Sequence, residues 1–152
     1  MPANPIQVRA SRVLPAAARR VYDVLADYRL GHRLILPARV FQDVEVVRGG
    51  RGAGTLLRFG MRWFGNVKRF RVEIEEPEPG RVLSERDLDG NGAVTTFTVD
   101  PAEGDHSAVT IETRWTPVGA GALVERLLAP AFLRRVYAEE LTNLEKVATG
   151  AL

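Results

Sequence analysis

The sequence predicts a single α+β domain in which a curved antiparallel sheet of about seven strands, in the order β-α-α-β6-α, is covered by one long C-terminal helix. Three observations carry that expectation. Between about residues 39 and 116 apolar side chains alternate with period two, as in strands buried on one face. Glycine, proline, asparagine and aspartate clusters cut that region into short runs with short connections, which join antiparallel neighbours in a meander. After Pro117 the apolar spacing changes to three- and four-residue steps, the signature of an amphipathic helix. A chain of 152 residues suits one core that removes roughly 70% of the unfolded surface from water, so 1–152 reads as one domain.

The first strand, expected over 5–13, rests on Ile6, Val8, Ala10 and Arg12 alternating with Gln7, Arg9 and Ser11. Pro15 can open a helix, because its missing N–H would be unpaired in a first turn. Val21, Tyr22, Leu25 and Tyr28 then follow at helical spacing, giving a helix over about 15–27. Gly31 interrupts the pattern and Pro37 ends it, leaving a second short helix over about 28–34. Six strands are expected over 39–48, 54–64, 67–76, 81–88, 93–100 and 107–116, with Gly65-Asn66 the tightest hairpin candidate. The last helix is expected over about 119–148, with a stripe of Leu123, Leu127, Leu133, Tyr137, Leu141, Leu144 and Ala148 and a bend at Pro130.

Parity assigns the faces of the sheet. Leu57, Phe59, Met61 and Trp63 share one side of their strand, and Phe70, Val72 and Ile74 share one side of the next. Ala93, Thr95, Phe97 and Val99 form a further apolar or weakly polar row, as do Val109, Ile111, Thr113 and Trp115. Over 81–88 two parities are equally good: Val82, Ser84, Arg86 and Leu88 inward, or Leu83 and Glu85 inward. An antiparallel sheet with one apolar face needs a cover, and the C-terminal stripe is the element long enough to supply it.

Composition excludes several classes of function. The chain has no cysteine, which removes disulfides, thiolate metal sites and cysteine nucleophiles. No leader pattern follows Met1, and no segment reaches the 18 or so apolar residues of a membrane span, so a cytoplasmic protein is expected. Lys plus Arg at 21 nearly balance Asp plus Glu at 19, which does not make a DNA-binding protein. Arg58, Arg62, Lys68, Arg69 and Arg71 are expected on the outer faces of two neighbouring strands, either as a patch for RNA, ribosome or acidic lipid or as a salt-bridged face with nearby Glu73, Glu75 and Glu76.

Chemistry-bearing motifs are sparse. His32 and His106 have no metal-ligand spacing, so no metal is expected. His32 could bind or protonate a ligand from the short helix, and a solvated surface histidine is the competing reading. None of Ser11, Ser84 and Ser107 sits in a nucleophile elbow. The glycines at 49, 50, 52 and 54 lack the Gly-Lys-Ser/Thr ending of a phosphate loop and read as a hairpin loop able to gate a cavity. No cofactor signature is present.

The element order, with the Val8-Arg9-Ala10-Ser11 strand, the Pro15 to Asp27 segment, the Pro77 to Leu83 turn and the Leu127 to Leu144 helix, resembles the helix-grip fold of the START and birch-pollen-allergen (SRPBCC) superfamily, in its polyketide cyclase/dehydrase-like branch. The likeness covers essentially the whole chain. It implies an internal cavity between sheet and C-terminal helix that binds a small apolar molecule, with an aromatic, polyketide-like or lipid ligand. A cyclase or dehydratase enzyme is the alternative it implies, and a ribosome- or quinone-associated partner protein is a second. Monomer and homodimer both fit. The residues expected to serve the cavity are Tyr28, His32, Phe59, Met61, Trp63, Arg86, Thr95, Phe97, Thr113, Trp115, Leu133 and Tyr137. Arg86 belongs to that group only under the first parity of its strand.

Overall fold

The computed structural model describes residues 4–90 and 92–151; Met1 to Ala3, Leu152 and Asn91 of the expected 89–92 turn lie outside the described residues. The chain runs β1 (Ile6–Leu14), α1 (Ala18–Ala26), α2 (Gly31–Ile35), β2 (Phe41–Arg48), β3 (Leu56–Trp63), β4 (Asn66–Glu78), β5 (Val82–Asp87), β6 (Val94–Ala102), β7 (His106–Trp115) and α3 (Ala122–Ala148). The strands form one curved seven-stranded sheet, order β1-β7-β6-β5-β4-β3-β2, with every pair antiparallel. Six strands are a simple meander, and β1 closes the far edge beside β7. This is the expected α+β helix-grip architecture.

Register shifts between Gln42 and Glu45 on β2 and between Glu75 and Glu78 on β4 mark irregularities of the kind that bend a strand and raise its twist. The tight hairpin is displaced by one residue from the expected Gly65-Asn66. Trp63 pairs with Asn66, and the turn residues are Phe64 and Gly65, both at positive φ as a type I′ turn requires. The first helix begins at Ala18, later than Pro15, because the β1 ladder continues to the Leu14–Ser107 pair and Pro15 to Ala17 are spent turning the chain.

α3 lies against the sheet's apolar face and is tied to its surroundings by polar contacts. Asn143 Nδ2 donates to the Ile35 carbonyl of α2 at 3.1 Å, and Arg12 on β1 reaches Thr142 Oγ1 at 2.8 Å. Buried Leu133, Val136, Tyr137, Leu141, Leu144 and Ala148 form the contact face. Leu123 and Leu127, expected in the same stripe, are 69% and 70% exposed. Lys68 is a second correction: it pairs with inward Met61 and shares the parity of Phe70 and Val72, so it stands on the concave face.

None of the residues 49–54 of the glycine loop lines the cavity. Tyr28 N–H donates to Gly50 O and Gly52 N–H to Ala26 O, each at 2.9 Å, which fastens the loop to the end of α1.

Candidate ligand-binding site

Between the concave face and α3 lies a cavity of about 130 Å³. An empty apolar cavity of roughly 150 Å³ is known to admit benzene, so this space suits one ring with a short substituent. Its walls come from the inward rows of the sheet. Phe59, Met61 and Trp63 line it from β3, Phe97 from β6, Thr113 and Trp115 from β7, and Leu133 and Tyr137 from α3, all as expected from parity. Phe59 is stacked on Phe70 of β4 at 5.4 Å between ring centroids, which stiffens the aromatic side.

One end of the cavity is polar, and strand register explains it. Glu85 pairs with Thr95, and Thr95 with Thr113, so a cross-strand row of three polar side chains runs over β5, β6 and β7 on the inward face. Thr95 and Thr113 share a 2.7 Å hydroxyl hydrogen bond, and Thr113 is also hydrogen-bonded to the Tyr137 hydroxyl from α3. Glu140, one helical turn beyond Tyr137, stands over the same end and lines the cavity.

Helix α2 delivers the remaining polar group. Gly31 lets α2 approach α1 closely: a Cβ there would sit 2.7 Å from the Val24 carbonyl oxygen. That approach drives His32 into the core, where it is 2% exposed, stacked on Tyr28 at 4.2 Å and edge-on to Phe97. His32 Nδ1 lies 2.8 Å from the Leu25 carbonyl, which only accepts, so Nδ1 carries the proton. Its Nε2 then faces Glu85 Oε2 at 3.3 Å. Tyr28 Oη donates to the same Glu85 oxygen at 2.7 Å.

Electrostatics set Glu140 apart. Burial, then the charge of Glu85 and of Glu139, pushes its carboxyl well above the ordinary range. Burial and the nearby Glu85 likewise raise the Tyr28 hydroxyl, and burial raises that of Tyr137. At the far end, roughly 22 Å away along α3, Glu125 accepts from Trp115 Nε1 at 2.8 Å and lies 3.9 Å from Lys68. Asp87, whose carboxyl is raised by burial, accepts from the Asp89 amide at 3.0 Å.

Two of the expected cavity residues are placed elsewhere. Arg86 points away from the cavity and is held by Glu75 at 2.8 Å and Glu73 at 3.0 Å on the outer face, so β5 follows the parity with Leu83 and Glu85 inward. Tyr28 does not line the space; it backs it through His32 and Glu85. His32, for which a solvated position was the competing reading, is a cavity residue. Glu85, Asp87, Glu125, Glu140 and Lys68 line the cavity and were not anticipated as site residues. Glu140 had a legible signal, since it falls three residues after Tyr137 and seven after Leu133, inside the buried stripe.

Among the described residues no group of three or more His, Asp or Glu side chains is placed to hold a metal ion. No described helix is long and apolar enough to cross a membrane.

Solved structures share this architecture over nearly the full chain. The KanY protein, determined in solution, is 26% identical with a TM-score of 0.83, covering 98% of this chain and 99% of its own. TTHA0849 from Thermus thermophilus is 24% identical with a TM-score of 0.80, covering 96% and 99%. The Zhui aromatase/cyclase from Streptomyces is 18% identical with a TM-score of 0.70, covering 97% and 93%, a likeness of fold alone. No curated protein matches the chain by sequence. Residues 5–149 match the family described as polyketide cyclase / dehydrase and lipid transport, and the chain belongs to that family.

Proposed function

We propose that this protein binds a small, largely apolar molecule of single-ring width, with its polar group seated against Glu85, Thr113, Tyr137 and Glu140. The observation that carries this reading is a cavity with aromatic walls and hydrogen-bonding groups gathered at one end, the usual composition of a small-molecule site. A space filled by packing alone would have no use for a threonine–tyrosine relay facing two carboxyl groups. Membership of a family that includes polyketide cyclases and lipid carriers supports an apolar ligand.

Calorimetric titration and thermal shift with single-ring compounds test it. A ligand at 100 times its Kd stabilises the folded state by about 2.7 kcal/mol, which is readily read as a rise in Tm. Leu133→Trp, which fills the cavity from α3, is expected to abolish both signals. If no ring compound moves the Tm, or if Leu133→Trp binds as the parent does, the cavity is not the site.

A catalytic reading is favoured by one observation: Glu140 and Glu85 line the same cavity, with the Glu140 carboxyl pushed upward by burial and by Glu85, the pairing a general acid and base require. Turnover of a bound hydroxy-carbonyl compound, lost in both Glu85→Gln and Glu140→Gln, would establish it.

A further inference from the structure

Among the described residues, four carboxyl groups and a single lysine line this apolar cavity. Three of the four are answered by the protein: Glu85 by Tyr28 and His32, Asp87 by a backbone amide, Glu125 by Trp115 and Lys68. Glu140 is the exception. It is 3% exposed, it faces the cavity, and no hydrogen bond or ion pair reaches its carboxyl group from any described residue. Its neighbours along the buried face of α3 are Val136, Tyr137, Leu141 and Leu144, among which a leucine or glutamine would be tolerated more easily.

We infer, building on the cavity-binding reading above, that the natural ligand carries a protonated amine that seats on Glu140. The chemistry of the polar end selects the charge. An anionic ligand would bring a further negative charge beside Glu85 into an apolar cavity. A neutral hydroxyl would offer one hydrogen bond and nothing that offsets the cost of ionising Glu140. An ammonium group brings the positive charge that favours the ionised carboxylate, together with three donors, and the Tyr137 and Thr113 oxygens can accept the others. The aromatic walls favour a cation as well, since ring faces attract positive charge.

The seat titrates in a way that reports the ligand's charge. The groups around Glu140 are Glu85 from β5, His32 from α2, Tyr28 from the corner between α1 and α2, Tyr137 and Glu139 from α3, and the neutral Thr95 and Thr113. With burial and Glu85 both opposing ionisation, the ligand-free site holds its proton, and an arriving ammonium displaces it. Amine binding therefore releases a proton and tightens as the pH rises above the ordinary carboxylate value toward the raised one, whereas a neutral alcohol gains nothing over the same range.

The test is isothermal titration of the full chain with phenethylamine, phenethyl alcohol and phenylacetate, in two buffers of different ionisation enthalpy. The amine is expected to bind at least tenfold more tightly than the alcohol and to release a proton, with phenylacetate weakest. In Glu140→Gln the amine-to-alcohol ratio falls to within about twofold of one, and Glu140→Asp restores part of it, with circular dichroism confirming that both variants fold. Alcohol or phenylacetate binding as tightly as the amine overturns the inference and leaves the cavity reading standing. Failure of all three compounds, and of neutral rings generally, overturns both.

Discussion

At the level of single residues, Glu140 and His32 show how position converts an ordinary polar side chain into a buried cavity group. Glu140 is held in the protonated form chiefly by burial, so folding shifts its carboxyl upward from an ordinary value of 4.5. The sign of the effect on stability follows. Below that value both folded and unfolded chains are protonated, and stability does not change with pH through this group. Above it the unfolded chain releases its proton first, so stability falls as pH rises, until the folded-state group ionises too. Glu140→Gln removes that slope. The ligand-free variant is expected to match the parent's stability trend at about pH 4 and to be the more stable of the two, with the higher Tm, at about pH 8. An equal difference at both pH values, measured by thermal denaturation, would mean that Glu140 is not held protonated. Neither residue was fully legible in the sequence. Glu140 lies in phase with the leucine stripe and could have been read there, while His32 is buried only because Gly31 lets two helices meet, a tertiary event that leaves no local pattern.

At the level of elements, the strands were legible because period two survives short insertions, and the last helix because its stripe is long. The stripe failed where its own arithmetic failed. From Leu127 to Leu133 the step is six residues, which at roughly 100° per residue turns the side chain about 240° away from the buried face. Ala129, four residues before Leu133, is the fully buried position on that side, and Leu123 and Leu127 face out. A direct consequence is that the two halves of α3 respond differently to truncation. Leu144→Ala, at a fully buried position, is expected to cost about 2–5 kcal/mol, as large-to-small changes in packed cores do. The double variant Leu123→Gln/Leu127→Gln should change stability by less than about 1 kcal/mol. Urea denaturation of both compares them on one scale, and a large loss from the double variant would show that the first turns of α3 are packed in solution.

At the level of the whole molecule, one surface of the sheet lines the cavity and the other faces solvent. The topology was legible as a meander closed by elimination: a wet face, an apolar face, and one element able to cover it. The polar end of the cavity was not, because it depends on register across β5, β6 and β7, which no single strand's alternation specifies. The basic residues of the outer face likewise take their meaning from cross-strand neighbours. Arg58 meets Glu45 at 2.8 Å, Arg69 meets Asp43 at 3.1 Å, Arg71 meets Asp89 at 3.1 Å, and Arg86 joins Glu73 and Glu75. This is a mosaic of both signs on a chain of net charge +2, so its far field is weak and its pairs are screened by salt. Function at the cavity should then be independent of the outer face. Arg62→Ala/Arg71→Ala is expected to keep phenethylamine affinity within about twofold of the parent and Tm within about 2 °C, because exposed pairs contribute little and lie across the sheet from the ligand. A tenfold loss of affinity in that variant would mean that the two faces are coupled through the sheet, and the binding site would have to be redrawn to include both.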